Sequence, residues 1–469
     1  MAEFIGSPDP EIADRVHQQR NDDTELWTAT AIYERQRQPD NWMPPSLIDD
    51  SNLSSEEEVR ERNERRCAQQ REWFRNRREA AIASSSTASN ASDSLAEEEQ
   101  IARLESHRRE EKLQLRCSSF SSRVEMLVPM PGILEKRLRD FPQLHDREYV
   151  DAHFPELENP PLVLPLTGDP KRVVYFIYEY DPLLDSSNAT MDDWICIARD
   201  IELNYKDFDG FVILHGTDTM AYTASALSFV FENLGKSVII TGSQIPVFEP
   251  RSDGRDNLLN ALILAGNYAI PEVGLMFHNQ LFRGNRTSKF SVDQLDAFAS
   301  FNLRPLATIG THIEIEWNLV ESRRRLEPAA PKLFRAHDLL NRNVGLLRFF
   351  PSITLEVVHA FLRPPVQGVV LQTYGAGNAP TARLDIMDEI RSANERGVLL
   401  LNCSQCPQGA VDPAYETGNA LLEAGVIPGS DMTPEAALTK LSYVLSKTEW
   451  THETKKKKSP LSPYKIIED

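Results

Sequence analysis

Residues 210–222 read Gly-Phe-Val-Ile-Leu-His-Gly-Thr-Asp-Thr-Met-Ala-Tyr, and this stretch constrains the fold more tightly than any other. Residues 211–214 form a short, continuous apolar run, the pattern of a parallel strand covered on both faces. Gly216 breaks the run, and Thr219 opens a stripe of apolar residues at helical spacing. The strand therefore delivers Thr217 and Asp218 to its C-terminal end, the side of an open α/β sheet that faces the ligand crevice. Threonine and aspartate are also helix-cap chemistry, so the pair alone leaves both readings open. Folding by itself would be served equally well by Ser or Asn.

The same alternation recurs on either side. A strand is expected over 173–180, then a helix from Thr190 to Tyr205 in which Asp193 completes a capping-box pattern. After the strand ending at Leu214 come a helix over 219–234, a strand over 237–241, a helix over 256–266 and a strand over 273–277. A variable linker spans 321–343. The pattern then restarts with a strand over 344–349, a helix to Leu362, a strand over 368–371, a helix over 382–396, a strand over 398–401 and helices near Asn419 and Ala436. Such a series predicts an α/β fold with parallel, doubly wound sheets. The expected layout is a charged extension over 1–120, a larger parallel-sheet domain over 121–330, a smaller α/β domain over 340–448 and a polar, basic tail over 449–469. Gly375-Ala-Gly-Asn-Ala-Pro380 is half of a dinucleotide fingerprint, but it lacks the third glycine and an acidic ribose partner, so no nucleotide cofactor is expected.

Composition narrows the function classes. A chain of 469 residues with 41% apolar content can bury two moderate cores, and a net charge of −19 argues against nonspecific nucleic-acid binding. Of five cysteines only Cys403 and Cys406 lie close together. Their C-x-x-C spacing has no second ligand pair, so reduced structural thiols are expected and no metal. No early stretch joins a basic start to an apolar core, and no run of eighteen apolar residues occurs, so the expectation is a cytosolic protein without a membrane span. Residues 54–78 and 96–116 are dense in Glu and Arg, and 83–94 are low-complexity Ser, Ala, Thr and Asn, too poor in apolar surface to offset ordering entropy. Charges at i, i+4 spacing support a single helix over 56–78, and no heptad persists that would make it a coiled coil. Lys455-Lys-Lys-Lys458 reads as a solvated basic run or a weak nuclear signal.

His215-Gly-Thr-Asp-Thr-Met220 closely resembles the second signature of the L-asparaginase/glutaminase family, in its cytosolic type I branch. Pro182-Leu-Leu-Asp-Ser-Ser-Asn188 is similar to that branch's substrate-carboxylate loop, and Thr241-Gly-Ser-Gln-Ile-Pro246 with Ser252-Asp-Gly-Arg-Asp-Asn257 to the crevice segments that follow. Phe282-Arg-Gly-Asn-Arg-Thr-Ser-Lys289 resembles the segment carrying the family's active-site lysine. Thr373-Tyr-Gly-Ala-Gly-Asn-Ala-Pro380, Asn402-Cys-Ser-Gln-Cys406 and Ser430-Asp-Met-Thr433 resemble its second domain. The resemblance implies a two-domain amidohydrolase that converts L-asparagine and water to L-aspartate and ammonia, without a cofactor, as a homo-oligomer. By the same resemblance Thr217, Asp218 and Lys289 form a catalytic group, Asp185, Ser186 and Ser187 hold the substrate together with Thr217 and Asp218, and Thr373 and Cys406 correspond to an allosteric asparagine site.

The residues themselves support such a group. A threonine hydroxyl is a weak nucleophile that needs a base within hydrogen-bond reach. Lys289 serves as that base once it has lost a proton, which burial and neighbouring cations favour and Asp218 opposes while orienting the amine. One departure stands against the match: the family opens on a strand running into a Thr-Gly-Gly-Thr-Ile turn whose first threonine is acylated, and this sequence contains no such turn. Ahead of Val124-Glu-Met-Leu-Val-Pro129 stands only Cys117-Ser-Ser-Phe-Ser-Ser-Arg123, whose hydroxyls have no glycine-rich turn or apolar strand to present them. Both ends of the domain pair read as shortened, and loss of an inner strand would leave sheet edges unpaired. Three functions follow as expectations: an L-asparaginase working through Thr217, Asp218 and Lys289; an impaired relative that binds asparagine or modulates intact subunits; and a lipid hydrolase, for which no G-x-S-x-G elbow exists in the sequence.

Overall fold

The computed structural model describes residues 132–155, 157, 159–166, 172–180, 183–324, 333–412 and 416–460. The extension over 1–120 with its expected helix, the serines before Arg123 and the tail beyond residue 460 lie outside these residues. The described chain opens with helices α1 (Leu134–Leu138) and α2 (Arg147–His153), then strands β1 (Leu162–Val163) and β2 (Val174–Tyr175), which pair antiparallel. The strand expected over 173–180 is thus reduced to two paired residues outside the large sheet, although Tyr175, Ile177 and Tyr178 are buried. Helix α3 (Met191–Asn204) starts on the expected capping box, with the Thr190 amide donating to Asp193 Oδ2 at 2.7 Å.

Strand β3 (Gly210–Leu214) leads into helix α4 (Met220–Val230). The helix stops four residues short of the expected Leu234, because Phe231 and Glu232 leave it to form β4 (Phe231–Glu232) and Asn233 takes a left-handed φ of 59°. Next come β5 (Ser237–Thr241), α5 (Gly254–Asn267), β6 (Val273–Phe277) and β7 (Gln280–Arg283). The short strands β8 (Ser288–Lys289) and β9 (Phe298–Ala299) pair with each other, and β10 (Ala307–Ile309), β11 (Ile313–Ile315) and α6 (Trp317–Arg324) complete this half. Six strands form a sheet of order β11-β10-β7-β6-β5-β3.

That sheet is parallel over the strands the sequence predicted at 210–214, 237–241 and 273–277, and mixed beyond them. Strands β3, β5 and β6 are parallel, but β7 returns antiparallel through His278 and Asn279, whose φ values of 46° and 62° make a two-residue hairpin turn. A connection that short admits only antiparallel pairing. Among the described residues β3 is an edge strand, and beside it a cavity of about 320 Å³ is lined by Gly210, Phe211, Tyr178, Ile197 and Leu262. Gly210 is required here, since a Cβ would stand 2.2 Å from the Ala265 carbonyl oxygen.

The second half begins with β12 (Arg335–Ala336), which pairs with β4. Strand β13 (Val344–Arg348), helix α7 (Leu355–Leu362), β14 (Gly368–Thr373), α8 (Leu384–Glu395), β15 (Leu399–Ser404), α9 (Glu416–Glu423), β16 (Ile427–Pro428) and α10 (Pro434–Ser446) follow. The sheet β13-β14-β15-β16 is wholly parallel. Residues 449–469, expected as a polar tail, contribute a last helix, α11 (His452–Lys458). Thr451 caps it, Lys456 Nζ donates to Asn394, and Lys458 lies 5.4 Å over the Trp450 ring, so lysine stems cover apolar surface while their amines find partners.

One apolar cluster joins the halves, with Leu227 and Val230 of α4, Leu441 and Val444 of α10, and Val370 and Leu401 of the second sheet all buried in it. At its rim Glu232 accepts from Tyr443 at 2.8 Å and from Lys447 at 2.5 Å, while Lys447 also donates to His337 Nδ1 at 3.2 Å. Burial first, and then the Lys447 charge, push the His337 pKa down to about 4 from 6.5, so the ring is neutral and its Nε2–H donates to Ser446. Between these two values an unfolded chain takes up a proton that the folded one refuses, so stability is retained above pH 6.5 and lost as pH falls toward 4. Relative to acid pH, the stabilisation at neutral pH is at most on the order of 3 kcal/mol. Thermal unfolding followed across that range is expected to show the loss, and His337→Gln is expected to flatten it.

Candidate active site

The turn that ends β3 is held from below by a buried relay. Trp194 Nε1 donates to Thr223 Oγ1 at 2.9 Å, and Thr223 lies 2.8 Å from His215 Nε2. Burial lowers the His215 pKa, so the ring is neutral. The relay closes when Thr223 donates to Nε2 and Nδ1–H donates to the Gly216 carbonyl at 2.7 Å. Gly242, at the end of β5, passes so close that a Cβ would stand 2.2 Å from the His215 carbonyl oxygen. Loop 242–245 is itself fastened by Asp253, which accepts from the Gln244 and Ile245 amides at 3.0–3.1 Å, and by Asn257, which donates to the Gly242 carbonyl at 3.0 Å. The segment 252–257 therefore fixes the loop that follows β5.

On this base Thr217 is 2% exposed, and Lys289 reaches it from β8. Lys289 Nζ donates to Thr217 Oγ1 at 2.9 Å and to Asp218 Oδ1 at 2.6 Å. The lysine side chain is 12% exposed and the aspartate 36%, so the group opens to solvent on the Asp218 side. Neither Thr217 nor Asp218 caps α4, and the N-cap residue Thr219 makes no side-chain cap bond. The Thr219 hydroxyl donates instead to the Ser186 carbonyl at 2.7 Å, tying the turn to residues 185–188. There Ser186 is buried, and Asp185 accepts from the Ser187 amide at 2.8 Å. All five residues singled out in these two segments thus belong to one linked structure with Lys289.

Thr373 ends β14 and Cys406 lies two residues beyond the end of β15, in the other half. Thr373 is fully buried and its hydroxyl donates to Asn402 Oδ1 at 2.7 Å, whereas Cys406 is exposed. Cys403 is free and buried, and burial pushes its thiol up to about 12. Among the described residues no group of three His, Cys, Asp or Glu could hold a metal. No described helix is long and apolar enough to cross a membrane.

Sequence reasoning missed the support of the lysine. Arg283 pairs with buried Glu272 at 2.6 Å, and Thr287 donates to the Arg283 carbonyl at 2.8 Å. Arg286 pairs with Asp431, and Ser288 donates to Glu435 at 2.9 Å. The side-chain partners of Arg283, Arg286 and Ser288 stand 11 to 147 residues away in sequence, a separation that no local pattern reports.

A hydroxyl, a carboxylate and an amine joined by hydrogen bonds where a parallel strand ends mark an α/β protein with a polar group at the C-terminal end of its sheet. Two family descriptions match in order: "Asparaginase, N-terminal" over residues 79–321 and "Glutaminase/Asparaginase C-terminal domain" over residues 343–457. The chain belongs to the asparaginase family. It is 53% identical over 329 residues to an L-asparaginase of Dirofilaria immitis, covering 70% of this chain and 55% of that one. It is 49% identical over 324 residues to a human 60 kDa lysophospholipase, covering 69% and 55%. The crystal structure of L-asparaginase I from Vibrio cholerae superposes with a TM-score of 0.59 at 44% identity, covering 71% of this chain and 92% of that one. The chain spans about half the length of the curated relatives it matches first, 55% in both cases.

Packing at Gly242 sets a test of this construction. Gly242→Ala forces a Cβ against the His215 carbonyl and the Met220 side chain, and is expected to destabilise by about 1–3 kcal/mol. The guanidinium midpoint should fall with an unchanged slope.

Proposed function

We propose that this chain is an L-asparaginase-type amidohydrolase acting on L-asparagine to release L-aspartate and ammonia. The observation that carries the proposal is the Lys289 amine shared between Thr217 Oγ1 and Asp218 Oδ1. In its ammonium form Lys289 only donates. Once deprotonated, its lone pair accepts the Thr217 proton, and the hydroxyl oxygen is activated toward the side-chain amide carbon or toward a water. The proton then passes to the departing amide nitrogen, which leaves as ammonia, and water supplies the new carboxylate oxygen. Asp218 orients the amine, and Asp185, Ser186 and Ser187 hold the charged ends of the amino acid. A homo-oligomer in the cytosol completes the reading, with no cofactor and no nucleic acid.

A second reading is an impaired relative that binds asparagine or modulates intact subunits. The sequence supports it, since no Thr-Gly-Gly-Thr-Ile turn is present. The name of the human relative points to lipid ester hydrolysis, for which this sequence offers no nucleophile elbow.

The deciding measurement is ammonia release from L-asparagine by chain purified from a host lacking asparaginases. Thr217→Ala and Lys289→Met are each expected to lower kcat by roughly 10²–10⁴-fold. Saturable asparagine binding without turnover would select the second reading.

A further inference from the structure

The direction of Lys289 is set from the opposite side of its own strand. Successive side chains in a strand point to opposite faces, so fixing Ser288 on one face aims Lys289 at the other. Ser288 is fixed by Glu435 at 2.9 Å, from the first turn of α10. Two residues earlier Arg286 pairs with the Asp431 carboxylate and donates to its carbonyl at 3.3 Å. Between them buried Thr287 donates to the Arg283 carbonyl. Residues 286 and 288 are thus both tied to the segment entering α10, while Lys289 turns toward Thr217 and Asp218.

We propose that Glu435, with Asp431, is a positioning residue for Lys289, so that the second half of the chain sets the geometry of a proton-transfer group whose members all belong to the first. The proposal rests on the role given to Lys289 above. Burial keeps the Glu435 carboxyl above its usual range, consistent with a group enclosed between α10 and β8 rather than a solvated surface acid. A long lysine stem has many rotamers, and a misplacement of about 1 Å in a reacting group can cost as much as 10²-fold in rate.

The test uses the full chain with Glu435→Ala, Ser288→Ala and Glu435→Gln, the last keeping an acceptor for Ser288. Trace acetylation by acetic anhydride, read on the Lys289 peptide against the peptide of Lys206, reports the placement of the amine directly. Kinetics of ammonia release report its use. Glu435→Ala and Ser288→Ala are expected to change Lys289 labelling by about fivefold or more and to lower kcat about tenfold with KM nearly unchanged, and Glu435→Gln is expected to recover most of both. Unchanged Lys289 labelling in folded Glu435→Ala and Ser288→Ala overturns the proposal. If Glu435→Ala does not fold, half-buried Ser288→Ala removes the same bond and decides. Labelling that responds while the unmodified chain releases no ammonia supports the positioning and rejects the amidohydrolase reading. Normal ammonia release with silent labelling does the reverse.

Discussion

Helix α10 is buried in an apolar cluster that it shares with α4 of the first half and with strands of the second sheet. Leu441 and Val444 have no exposed surface to lose further, and burying each such side chain stabilises the fold by about 1.5–3 kcal/mol. Because the same helix packs against α4 of the first half and against the strands of the second sheet, the placement of the two halves is a matter of close packing, and packed interiors yield little to displacement. Lys440, on this helix, is buried to 1% exposure, and burial followed by the charge of Arg286 brings its pKa to about 7. A lysine amine accommodated at that depth shows how completely α10 is enclosed.

From that enclosure the site inherits its precision. The start of α10 presents Asp431 and Glu435 to the segment that carries Lys289, and the relay from Trp194 through Thr223 to His215 supports the turn that carries Thr217. Two independent supports therefore converge on one hydrogen-bonded group. A group assembled in this way is held in one arrangement by residues outside it.

Much of this was legible in the chain. The strand at 210–214, the capping box at Thr190 and the parallel pattern of the second sheet follow from local periodicity, and the structure reproduces them. Thr217, Asp218 and Lys289 were singled out by motif and do meet. The failures have local causes as well. Residues 173–180 are apolar enough for a strand but pair over only two positions, and residues 231–232 continue a helical pattern yet are drawn off by pairing with Arg335 and Ala336. The antiparallel return of β7 was hidden because His278 and Asn279 are not the glycine-rich pair that announces a tight turn. The basic run at 455–458 was read as solvated tail because its partners, Trp450 and Asn394, lie on other elements.

By itself, then, the sequence determined the alternation of strands and helices, the chemistry of the residues at the crevice and the family to which they belong, because periodicity and motif are properties of neighbouring residues. Only the tertiary structure decided that the first sheet is mixed, that Asn402 takes up the Thr373 hydroxyl, and that Ser288 and Arg286 lean on residues more than 140 positions away. Hydrogen bonds and ion pairs of that kind depend on how close folding brings two segments. That distance is set by the packing of α10 between α4 and the second sheet and is recorded nowhere in the local order of residues.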